Sequence, residues 1–93
     1  MSRKKKVAVT VTVEELIRQY VSQVTGTTDI EVQIIDDVIV LIRQERWHIY
    51  INQGQLTFIG CFVDEDVTIC DILRKEAYAI QYIYDSKKNE QTV

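Results

Sequence analysis

Apolar residues at 13, 16, 17, 20, 21 and 24 (Val13, Leu16, Ile17, Tyr20, Val21, Val24) recur at i, i+3, i+4, i+7, i+8 and i+11. That spacing is one face of an α-helix. Thr12 and Glu15 supply a Thr-x-x-Glu capping box ahead of it, and Gly26 can take the left-handed conformation that ends it. Glu14 and Glu15 suit the positive end of the helix dipole.

The period then changes to two. Ile30, Val32 and Ile34 alternate with Glu31 and Gln33, and Asp36-Asp37 marks a turn. Residues 38–43 are a β-branched run, residues 44–46 a second turn or a bulge in one long bent strand, and Trp47, Ile49 and Ile51 alternate with His48, Tyr50 and Asn52. Gln53-Gly54 is a tight-turn signal, and residues 55–63 read as a fourth strand with a bulge at Gly60. Short connections between all four favour an antiparallel meander.

A second helix is expected to open at Asp64-Glu65-Asp66, whose acids suit a helix start. Ile69, Leu73, Glu76, Ala77, Ile80 and Tyr84 share one face, flanked by Ile72 and Ile83. Tyr78, Ile80, Tyr82 and Tyr84 also alternate as in a strand, but no Gly, Pro or Asn interrupts residues 74–84, which favours one continuous helix. The expected fold is therefore α+β, a four-stranded antiparallel meander flanked by an N-terminal and a C-terminal helix (α-β-β-β-β-α). Val7, Val9 and Val11 alternate with Ala8, Thr10 and Thr12, so a short extra edge strand at 7–11 is a further expectation. The organisation reads as a disordered basic arm at 1–6, one domain at 7–85 and a frayed tail at 86–93.

Both parities are apolar in residues 38–42 and again in 56–63. A sheet wet on one side alternates more cleanly, so each face needs a cover. Either the helices take one face each, or both lie on one face and another molecule covers the other. The second arrangement makes a homodimer the expected state, because an open apolar face of more than a few hundred Å² is unusual on a monomer.

Composition changes this picture little. With 93 residues, the chain has room for one core. The longest apolar run is five residues, against about 20 for a membrane span. No secretory signal is read at the start, since residues 7–13 run straight into Glu14-Glu15. Two cysteines, Cys61 and Cys70, are a weak disulfide framework, so the cytoplasm is the expected compartment.

Charge matters more. The net −3 conceals +4 on Arg3, Lys4, Lys5 and Lys6, leaving seven bases against 14 acids in the other 87 residues. A basic arm thus precedes a body near −7. The arm, with Trp47 and Tyr50 on a strand, suggests nucleic-acid binding through phosphate contacts and base stacking. The acidic body opposes it, and neither an RNA-recognition signature nor helix-turn-helix spacing is present.

Chemistry-bearing residues are sparse. His48 is the one histidine, and a Cys61–His48 pairing across strands lacks any nameable oxyanion element or orienting group. Cys61, Cys70 and His48 do not match zinc-site spacing. Asp36-Asp37 and Asp64-Glu65-Asp66 contain no calcium-loop pattern. No catalytic residue, metal or cofactor is assigned, and the protein is not expected to be an enzyme. Tyrosine contributes large rigid contacts at interfaces, and Tyr78 and Tyr82 share a helical face. The candidate protein interface is Tyr78, Tyr82, Asp36, Asp37, Asp64 and Glu65, with the acids steering a basic partner.

In size and charge alone the chain resembles the compact accessory proteins of phages and mobile elements, several of which inhibit host defence by binding a nuclease. The resemblance implies an inhibitor that acts by direct protein binding. The alternative is a nucleic-acid accessory protein using Arg3, Lys4, Lys5 and Lys6.

Overall fold

The computed structural model describes residues 11–44, 46–60 and 64–91, the side chains of 89–91 aside. The element order is α1 (Val13–Thr25), β1 (Ile30–Ile35), β2 (Val38–Arg43), β3 (Trp47–Asn52), β4 (Gln55–Gly60) and α2 (Asp64–Gln91). The strands form one antiparallel sheet in the order β1-β2-β3-β4. The α-β-β-β-β-α meander read from the pattern is the observed fold. The expected arm at 1–6 and strand at 7–11 fall outside the described residues, apart from Val11.

Local chemistry accounts for the boundaries. The Glu15 amide donates to Thr12 Oγ1 at 3.2 Å and the Thr12 amide to Glu15 Oε1 at 3.3 Å, closing the capping box. Gly26, at φ +76°, ends α1 and donates its amide to the Ser22 carbonyl. Both two-residue hairpin turns have positive φ at both central residues, +50° and +67° at Asp36-Asp37 and +53° and +81° at Gln53-Gly54. That is the turn whose twist matches paired strands.

Two boundaries differ from the sequence reading. Gly60 is paired in register with Trp47, so there is no bulge there. Its glycine is required by close approach: a Cβ would lie 2.5 Å from the Arg46 carbonyl oxygen, at φ +137°. The 86–93 tail is helical through Gln91. Nothing in Ser86-Lys87-Lys88 breaks a helix, and Lys88 Nζ reaches Asp37 at 3.1 Å and lies 5.8 Å from the Tyr84 ring centre. The Tyr78–Tyr84 alternation is helical throughout.

The register places Ile30, Val32 and Ile34, then Ile39, Leu41 and Arg43, then Trp47, Ile49 and Ile51, then Leu56, Phe58 and Gly60 on one face. Ile17 and Val21 of α1 and Ile69, Leu73, Ala77, Ile80 and Tyr84 of α2 pack with this face in a single core. Both helices therefore cover the same side. Tyr20 of α1 donates its hydroxyl to Glu76 of α2, which explains an acid on an apolar helical stripe. The far face is mixed: Val38, Val40 and Ile42 form an apolar column beside His48 and Tyr50, with Glu31 and Gln33 at one flank and Gln55, Thr57 and Ile59 at the other.

Candidate functional site

Among the described residues six large apolar side chains stand exposed, and five belong to the β4 edge and the helix above it: Phe58, Val67, Tyr78 and Tyr82 on the helix side, and Ile59 on the far face of the sheet. The sixth, Ile35, sits at the opposite edge. Two elements build this side. β4 is the last strand of the meander, so no described strand pairs with its outer edge. Above it, α2 presents Val67, Asp71, Arg74, Tyr78 and Tyr82 at helical spacing.

Contacts hold helix and strand in this relation. At one end the Gly54 amide donates to Gln81 Oε1 at 3.0 Å, and the Tyr78 ring lies so close to Gly54 that a Cβ there would meet it at 2.5 Å. In the middle the Arg74 guanidinium stands 5.9 Å from the Phe58 ring centre. Beyond that, Phe58, Gly60, Val67, Cys70, Asp71 and Arg74 surround an open, mostly apolar hollow of about 300 Å³. Cys70 is buried at its base, and desolvation pushes its thiol pKa up, which suits a packing role rather than a nucleophile.

The proposed interface residues do not form a single patch. Tyr78 and Tyr82 are each 72% exposed on the β4 side. Asp37 is held by the Tyr84 hydroxyl and by Lys88, near the C-terminal part of α2. The Tyr84 hydroxyl donation, more than the Lys88 charge, keeps the Asp37 carboxyl below its ordinary range. Glu65 accepts from Arg43 at 3.0 Å, at the other end of α2. With a 1.5 Å rise, positions 65 and 84 are about 28 Å apart. Asp36 and Asp64 are exposed at these two ends. The acids thus bracket the tyrosines at a distance, and two of them also brace the fold.

Sequence reasoning missed the residue that matters most at the Glu65 end. Asp66 is fully buried and accepts from Arg43 Nη1 at 2.9 Å and Arg46 Nη2 at 3.3 Å. Arg43, itself buried, also reaches Asp29 at 3.1 Å. Burial pulls the Arg43 pKa down, but Asp29 and Glu65 more than offset it. Asp29 titrates below its usual range, first because the Thr27 hydroxyl donates to it and then because of Arg43. The signals were present: Arg43 follows Ile39 and Leu41 in parity, and Asp66 precedes Ile69, Cys70 and Leu73 at i+3, i+4 and i+7.

Among the described residues no catalytic constellation includes His48. It lies on the far face, with Nδ1 3.4 Å from the Tyr50 hydroxyl, whereas Cys70 belongs to the helix layer. Cys61 and the basic residues Arg3, Lys4, Lys5 and Lys6 lie outside the described residues. Among the described residues no group of three or more His, Cys, Asp or Glu converges as a metal site, and no helix is long and apolar enough to cross a membrane. No family model, curated protein or solved structure matches the chain.

Proposed function

We propose that the protein is a small non-enzymatic binding module that engages another protein through its β4–α2 side. The observation supporting this is the gathering of Phe58, Val67, Tyr78 and Tyr82 along the helix side of the β4 edge, with Ile59 on the strand's other face, while the other large apolar side chains among the described residues are mostly covered. Concentrated exposed apolar surface is unfavourable in water and is typical of contact surfaces. Asp64, exposed at the start of α2, and Asp36, exposed in the β1–β2 turn, add acidic surface to the domain and favour a partner with a basic surface. The narrower form of the proposal is an inhibitor carried by a phage or mobile element that blocks a host factor such as a defence nuclease. Size and charge support that form.

The test compares two baits in the source cell, wild type and Tyr78→Ser/Tyr82→Ser, with cross-linking before recovery. The expected result is one protein recovered in stoichiometric yield with wild type and lost with the variant. Equal recovery by both baits contradicts the assignment of this side.

A further inference from the structure

The exposed strand β4 has an unusual make-up for a sheet edge. Natural edges are usually blunted by charge, proline or a bulge, because their unpaired amides and carbonyls can accept another strand. β4 reads Gln55-Leu56-Thr57-Phe58-Ile59-Gly60, with no charge, no proline and a continuous register to β3. All its residues except Leu56 are exposed. The other edge, β1, carries Glu31 and packs against α1.

We propose that a second copy of this chain pairs β4 with β4 in antiparallel fashion about a two-fold axis, making one eight-stranded sheet. This deepens, and rests on, the reading of the β4–α2 side as a contact surface. The Asn52–Gln55 pair closes the two-residue turn and is therefore hydrogen-bonded, so bonded pairs recur at Tyr50–Thr57 and His48–Ile59. The amides and carbonyls of Leu56, Phe58 and Gly60 then point away from β3, toward the open edge. A two-fold perpendicular to the sheet pairs residues of like parity and leaves all four helices on one side.

The chemistry favours self-pairing over pairing with an arbitrary strand. An uncharged strand meets itself without like charges opposite each other. The α2 ledge above it carries one acid and one base, Asp71 and Arg74. Asp71 and Arg74 pair within each helix and leave the ledge without net charge, so two copies meet there without net repulsion. In this arrangement Phe58 and Val67 gain cover on the helix side of the seam, and Ile59 gains a cross-strand neighbour on the far face.

Sedimentation equilibrium of the full chain tests it. The expected wild-type mass at high micromolar concentration is about 22 kDa, twice 10.9 kDa. Ile59→Lys, at a side chain that is 66% exposed, is expected to sediment as a monomer with an unchanged circular dichroism spectrum and the urea midpoint of wild type diluted to its monomeric range. Asp71→Arg and Arg74→Asp are each expected to weaken the dimer by about tenfold, and the double exchange to restore it. A wild-type monomer at every concentration overturns the proposal, as does a dimer that Ile59→Lys leaves intact. A monomer that still loses its cellular partner on Tyr78→Ser/Tyr82→Ser overturns only the self-pairing and leaves the binding function standing.

Discussion

β1 and β4 are the two edges of one sheet, yet they are finished differently. β1 is preceded by Asp29, which Arg43 holds from β2, and it has α1 beside it and Glu31 on its outward row. β4 is left with five exposed residues and no charge. α2 covers its helix-side face only in part, leaving Phe58 45% exposed. The lesson is that burial and charge divide the molecule into a side built to hold together and a side left available. Substitutions should separate stability from association along that line.

The largest expected effect is on the closed side. Arg43→Ala takes from the fully buried Asp66 its partner at 2.9 Å and removes the tie to Asp29. The expected loss is about 3–5 kcal/mol in urea unfolding. A loss below about 1 kcal/mol would mean that the Arg43–Asp66 pair contributes little to closing this side.

Gly60→Ala comes next and crosses the boundary. Its methyl would press on the backbone of residues 46 and 47 at an unfavourable φ, for an expected cost of about 3 kcal/mol. Because Gly60 ends the open strand, association should weaken along with stability. Intact stability would show that the β3–β4 backbone gives way easily at that point.

Tyr84→Phe probes the clasp between α2 and the β1–β2 turn, with an expected cost of about 1 kcal/mol at neutral pH. The hydrogen bond to Asp37 pushes the Tyr84 phenol from 10.0 up to about 12. A raised pKa gives stability that is complete below pH 10.0 and lost as pH climbs toward about 12. Wild type should therefore weaken over that alkaline window, and the variant should weaken less. The Asp37 and Asp29 carboxyls are lowered, so their contribution is present above pH 3.8 and disappears as acid is added below it. Urea midpoints across both limbs check the signs.

Ile59→Lys has the smallest expected effect on stability, within about 0.5 kcal/mol. Paired with Arg43→Ala it completes the contrast, one variant acting on folding and the other on assembly.

Much of this division was legible from the chain, and the exceptions are physical. The capping box, Gly26, the turn residues Asp36-Asp37 and Gln53-Gly54, and the alternating strands are local signals, and each lies where the pattern put it. Which face the helices share is a tertiary choice that periodicity does not encode, since residues 38–42 are apolar in both parities. The extension of α2 to Gln91 depends partly on the contact between Lys88 and Asp37, far apart in sequence. Tyr78 and Tyr82 were readable as candidates from spacing alone. Phe58, Ile59 and Val67 join them only once β4 is known to be an edge and α2 is known to run above it. The buried Arg43–Asp66 pair was hidden by habit, because an acid at a helix start reads first as a dipole partner.

The most direct measurement is amide hydrogen exchange at Phe58 and Val32, whose N–H groups face outward on the two opposite edges, at low and high protein concentration. The account predicts that Phe58 becomes protected as concentration rises while Val32 does not change. Exchange at Phe58 that ignores concentration, or protection that appears at Val32 instead, would contradict it.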